Sequence, residues 1–176
     1  MTDLIPRARA FATAAHSGQK RQYSNEDYIQ HPIAVAALVA TRPHTSEMIA
    51  AALLHDVLED APVTIATIRL EFGEAVAALV SDLTDVSRPE EGNRATRKAL
   101  DRAHTALASP EAKTIKLADL IDNSRSILAH DPRFARVYLA EKALLLEVLR
   151  EGDVELWKMA KALVLSGNSS KIEPSI

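Results

Sequence analysis

An all-helical fold is predicted by three features of this 176-residue chain. Alanine and leucine dominate, while there are only 5 glycines and 4% aromatic residues. Ala and Leu lose little freedom on entering a helix. Apolar residues recur at helical spacing through most of the chain, and no segment alternates convincingly as a strand. Start signals recur too, such as Ser109–Pro110–Glu111 and Asp131–Pro132, where a capping side chain precedes a proline suited to a first turn.

The elements follow in order. Ile5, Ala8, Phe11, Ala12 and Ala15 mark a first helix over 4–16. The polar run SGQKRQYSNEDYIQ is read as a loop, and Pro32 opens a second helix over 32–41. Thr45 or Ser46 caps a third helix, carried by Ile49, Leu53, Leu54 and Val57 to about Glu59. Thr64 caps a short helix to Phe72, Gly73 breaks it, and EAVAALVSDLTD continues as another. SRPEEGN is the clearest internal loop, and 94–107 is an amphipathic basic helix. Two long helices start at Pro110 and Pro132, and Gly152 separates them from a last one over 154–165. The expectation is one bundle of about eight or nine helices over residues 1–168, with a flexible tail over 169–176.

Bulk properties exclude several functions. With 47% hydrophobic and 26% charged residues the chain has the composition of a soluble globule. A formal charge of −3 provides no basic field for nucleic acid. There is no cysteine, which removes disulfides, thiolate metal sites and cysteine nucleophiles. No signal-like N-terminus and no membrane-length apolar run are present, so a cytoplasmic location is expected.

The stretch AALLHDVLED concentrates chemistry. At a spacing of four on a helix, His55 aligns with Glu59 and Asp56 with Asp60. Carboxylates crowded at a helix C-terminus repel one another and oppose the dipole, and a bound cation offsets both penalties. His31 stands just before the apolar helix 33–40, and Asp119 lies among apolar residues in KLADLIDNS. A buried aspartate is costly unless it is paired or holds a metal. Two imidazoles and two carboxylates make a ligand set suited to a divalent ion such as manganese.

The ordered motifs HPIAVAALV, AALLHDVLED, EFGEAVAALVSDLTD and SPEAKTIKLADLIDNSRSI resemble the HD-type hydrolase domain of the RelA/SpoT proteins. More closely, they resemble the free-standing small alarmone hydrolases related to metazoan SpoT homologues. The resemblance spans about residues 8–150. It implies a manganese site of His31, His55, Asp56 and Asp119, with Glu59 and Asp60 positioning or deprotonating the attacking water. It implies nucleotide contacts from Lys20 and Arg21, and from Asn123 and Ser126. Arg94, Arg97 and Lys98 match a basic segment that holds phosphate groups. Two departures stand out: Glu26–Asp27 replace a Gly-Pro pair, and Leu120 and Asp122 replace a basic arginine and histidine.

The implied activity is removal of the 3′-pyrophosphate from guanosine tetra- or pentaphosphate, without synthesis, since the chain is too short for a synthetase module. The adenosine analogues ppApp and pppApp, and NADPH as a 2′-phosphatase substrate, share the chemistry. A degenerate nucleotide sensor is the non-enzymatic alternative, opposed by the intact Glu59–Asp60 pair. The apolar last helix and the leucines of 144–149 permit a homodimer.

Overall fold

A computed structural model describes residues 4–169. Its elements are α1 (Leu4–Ala15), α2 (Gln30–Ala40), α3 (Ser46–Leu54), α4 (Val57–Asp60), α5 (Ile65–Phe72) and α6 (Glu74–Leu83). A 3-10 turn (Pro89–Glu91) leads to α7 (Arg94–Ala106), α8 (Pro110–His130), α9 (Pro132–Val148) and α10 (Val154–Ser169). The all-α class is therefore as the sequence predicts. Residue 169 ends α10, and the rest of the predicted tail lies outside the described residues.

The helix starts carry side-chain caps. Thr45 accepts from the Met48 amide at 3.2 Å, Ser109 from Ala112 at 3.2 Å, and Asp131 from Phe134 at 3.0 Å. Each cap fixes where a helix begins, and hence which face it turns inward.

Helix α8 is the axis of the bundle. It packs against α2, α3, α6, α9 and α10, and Ile115, Leu117, Leu120 and Ile121 are at most 1% exposed. A helix surrounded on so many sides has no solvated face along its middle, so any charged residue there needs a partner. Helix α3 has the same character, with all residues from Met48 to Leu54 buried.

The helix expected to run from Ser46 to Glu59 is interrupted at His55–Asp56 and becomes α3 and α4. The Ala52 carbonyl, which in an unbroken helix serves the amide four residues on, accepts from His55 Nδ1 at 2.8 Å. The side chain thus takes a backbone acceptor, and the ladder resumes only with the Glu59 and Asp60 amides on the Asp56 carbonyl at 3.1 and 3.0 Å.

The polar run after α1 is a small bridged hairpin. Lys20 and Asp27 form an isolated antiparallel bridge, and the Arg21 amide donates to the Glu26 carbonyl at 2.9 Å. Asn25, with φ of 56°, makes the turn, a conformation asparagine tolerates better than most residues. No helix among the described residues is long and apolar enough to cross a membrane.

Candidate active site

The start of α2, the α3–α4 break and the middle of α8 meet at one point. They bring together His31, His55, Asp56 and Asp119, the four ligands that the resemblance implies. One ligand atom from each of His31, His55 and Asp56 lies within 4.8 Å of the others. His55 Nε2 is 3.1 Å from Asp56 Oδ2 and 3.8 Å from Asp119 Oδ1. His31 Nε2 is 3.6 Å from Asp56 Oδ2 and 3.2 Å from Asp119 Oδ1.

These residues fit a metal ion. A carbonyl can only accept, so the bond to Ala52 holds a proton on Nδ1, and the neutral ring presents its Nε2 lone pair inward. That Nε2 is buried and has no hydrogen-bond partner among the described residues, although two carboxylates lie close by. Converging donors that do not satisfy one another are what a cation requires. Two neutral imidazoles and two carboxylates would balance a divalent charge.

Without an ion the carboxylates favour the protonated imidazoles, and a cation would displace those protons. Burial pushes the imidazole pKa values down, yet the Asp119 and Asp122 carboxylates raise that of His31 on balance. His55 is held well above its ordinary value by Asp56 and Asp119, again against burial. Burial pushes Asp56 up, but His55 outweighs it and brings its carboxyl down to about 2. Asp119 is likewise driven well below the usual carboxylate range, burial being overcome by His31, His55 and Lys116.

The neighbours of the four are equally specific. Tyr28 donates its hydroxyl to Asp56 Oδ2 at 2.6 Å. Asn123, one turn after Asp119, donates Nδ2–H to Asp119 Oδ1 at 2.6 Å. Lys116 Nζ lies 3.6 Å from Asp119 Oδ2 and donates to the Leu83 carbonyl at 3.3 Å. Sequence reading missed Lys116, although its spacing of three from Asp119 on α8 is a legible signal. Nothing local in the sequence announces Asp56 as the partner of Tyr28, 28 residues away.

Glu59 and Asp60 sit beyond the break and face different partners. Glu59 Oε1 accepts from the Asp85 amide at 2.8 Å. Desolvation of its carboxylate pushes the pKa up to about 7, against the Asp85 amide and Lys116, which lower it. The Asp60 carboxyl is raised by burial and by Asp56, and its carbonyl accepts from Gln19 Nε2 at 2.7 Å. The His16 ring packs on Tyr28 with centroids 4.8 Å apart.

A cavity of about 160 Å³ opens beside His31, lined by Arg21, Tyr23, Tyr28, Asn123, Ser126 and Phe134. It gathers three of the expected substrate contacts: Arg21, Asn123 and Ser126. Lys20 instead pairs with Asp27 at 2.7 Å on the exposed side of the hairpin. Arg94 makes a bidentate pair with Glu141 at 2.6 and 2.9 Å, its guanidinium over the Phe134 ring. Arg97 is half-buried, with Nε lacking a hydrogen-bond partner among the described residues. A second, polar cavity of about 50 Å³ adjoins Lys98, Asp85, Lys116 and Lys142. There Lys98 bridges Asp85 at 2.7 Å and Asp101 at 3.3 Å, and burial pushes Lys142 down to about 8.

Comparison with known proteins identifies the family. Residues 8–155 match the HD domain. The guanosine-3′,5′-bis(diphosphate) 3′-pyrophosphohydrolase MESH1 of Xenopus tropicalis is 35% identical over 127 residues, covering 70% of this chain and 69% of that protein. A probable guanosine-3′,5′-bis(diphosphate) 3′-pyrophosphohydrolase of Synechocystis is 38% identical over 136 residues, covering 76% of this chain and 18% of that one. The chain thus spans less than a fifth of the length of that bacterial relative. A solved structure described as a metazoan ortholog of SpoT that hydrolyzes ppGpp superposes with a TM-score of 0.84 at 26% identity, covering 94% of this chain and 96% of its own. The chain belongs to the HD-domain family, in the branch that contains the RelA/SpoT hydrolase domains and their short MESH1-type relatives.

Proposed function

We propose that this protein is a metal-dependent phosphohydrolase that removes the 3′-pyrophosphate of guanosine tetra- and pentaphosphate, with manganese as its ion. The observation that carries the proposal is the inward Nε2 of His55, which has no hydrogen-bond partner among the described residues, set with His31, Asp56 and Asp119 beside a cavity of about 160 Å³. The names of the relatives, which are ppGpp pyrophosphohydrolases, support the substrate class.

A bound divalent ion lowers the pKa of a coordinated water and shields phosphate charge. In this proposal His31, His55, Asp56 and Asp119 hold that ion. Glu59 and Asp60, one turn past the ligands, take the proton from the attacking water. A raised carboxyl pKa suits that task, because it brings a general base nearer neutrality. Arg21, Asn123 and Ser126 receive the nucleotide, and Asn123 also steadies Asp119. Lys20 and Arg94 would reach phosphate only by leaving or sharing their present partners.

The test is a panel of ppGpp, pppGpp, ppApp, pppApp and NADPH with added manganese, read by product chromatography. The expected result is GDP or GTP with pyrophosphate, abolished by a chelator. Preferential cleavage of the adenosine compounds or of NADPH would reassign the substrate. An inert protein that still bound nucleotide would identify a sensor.

A further inference from the structure

The four-ligand set leaves out a second carboxylate on the same turn of α8, and this one touches both a ligand and the hairpin. Asp119 and Asp122 are three residues apart, so they share a helix face. The His31 ring lies between them. Its Nε2 is 3.2 Å from Asp119 Oδ1, on the inner side. Its Nδ1 is 2.6 Å from Asp122 Oδ2, with hydrogen-bond geometry. The same Asp122 oxygen accepts from Arg21 Nη1 at 2.7 Å. These are not surface contacts: the Asp122 side chain is 19% exposed, that of Arg21 14% and that of His31 3%.

We propose that Asp122 is a positioning residue that locks His31 for metal binding and couples the metal site to the substrate hairpin. The proposal rests on the metal site described above. A carboxylate accepting from Nδ1 keeps the proton on that nitrogen and presents the Nε2 lone pair to the ion. His55 receives the equivalent service from the Ala52 carbonyl, a neutral backbone group four residues before Asp56. His31 receives it from a charged side chain that is also bonded to another element. Arg21 is anchored through this carboxylate, so the arginine that borders the 160 Å³ cavity is held by the group that orients the ligand. The hairpin and the ion are thereby linked through one oxygen atom. A basic side chain at position 122 would accept neither bond.

The discriminating measurement is manganese affinity, from the electron-paramagnetic-resonance signal of the free ion, without substrate. Asp122→Ala is expected to weaken binding roughly ten- to hundred-fold, the usual effect of losing an outer-shell partner. Asp122→Asn keeps an oxygen that can accept from Nδ1, and should weaken it by less than about tenfold. Arg21→Ala should raise KM for guanosine tetraphosphate while leaving manganese affinity within about threefold, whereas Asp122→Ala should move both. Thermal melts check that each variant folds. Should Asp122→Ala be unfolded, Asp122→Leu, of similar size but with no acceptor, carries the test, and wild-type affinity together with wild-type KM in that variant overturns the proposal. Unchanged affinity in a folded Asp122→Ala also overturns it, while wild-type binding keeps the metal site intact. If the wild-type protein itself binds no manganese, the metal site falls and this proposal falls with it.

Discussion

Tyr28, in the turn before α2, donates its hydroxyl to Asp56 Oδ2 at 2.6 Å, on the oxygen that also lies 3.1 Å from His55 Nε2. One carboxylate oxygen therefore serves a phenol and faces an imidazole. Burial, then Asp56, raise the Tyr28 pKa far out of the titrating range, so the hydroxyl stays a donor. Tyr28→Phe removes a hydrogen bond to a charged acceptor and is expected to cost about 1.5–3 kcal/mol of stability. Urea denaturation checks this, and a change below about 0.5 kcal/mol would show that the bond contributes little.

Metal binding should release protons. His31 and His55 have pKa values raised by the carboxylates around them, so they hold protons to higher pH than a free imidazole, and a cation must displace those protons. Affinity is expected to rise with pH and to fall as the pH drops below the histidines' raised pKa values. Calorimetric titration in buffers of different ionisation enthalpy measures the release directly. A binding heat independent of buffer would contradict the assignment of the two histidines as ligands.

Glu59 gives a separate pH signature. Its carboxyl must be ionised to accept a proton, and desolvation lifts its pKa from 4.5 to about 7. The rising limb of kcat is therefore expected above 4.5 and no higher than about 7, since a nearby cation pulls in the opposite direction. For stability the sign reverses. The raised folded pKa means the contribution of Glu59 is fully present below 4.5 and is lost as the pH rises to about 7. Glu59→Gln should lose turnover by roughly two orders of magnitude or more while retaining metal. Full activity in that variant would remove Glu59 from the chemistry.

Gly152 marks a tight contact between the turn before α10 and α8. A Cβ there would stand 2.9 Å from Leu117 Cδ1 and 3.0 Å from backbone atoms of Lys113 and Thr114. The Lys113–Thr114 peptide cannot yield without moving α8, which carries Asp119. Gly152→Ala is expected to cost about 1–3 kcal/mol, as overpacking does. Chemical denaturation reads the loss, and a neutral result would mean the turn can swing away from α8.

The helical class, the order of elements and the candidacy of His31, His55, Asp56 and Asp119 were legible in the sequence. They rest on short-range chemistry: helix propensity, caps such as Ser109 and Asp131, and a carboxylate stranded among apolar residues on α8. Spacing along one helix also relates Asp119 to Asn123, a relation the structure realises as a hydrogen bond. What spacing cannot carry is a break or a partner on another element. An unbroken helix puts Glu59 in line with His55. The tertiary structure instead lets the His55 ring take the Ala52 carbonyl, splits the helix, and sends Glu59 to the Asp85 amide. The sequence shows Asp122 only as an acidic substitution in a basic motif. Packing the hairpin and α2 against α8 makes it the shared acceptor of Arg21 and His31, residues 101 and 91 positions away. Local propensity determines which residues are helical. The low dielectric of the packed interior, where every charge must find a partner, decides which of them meet.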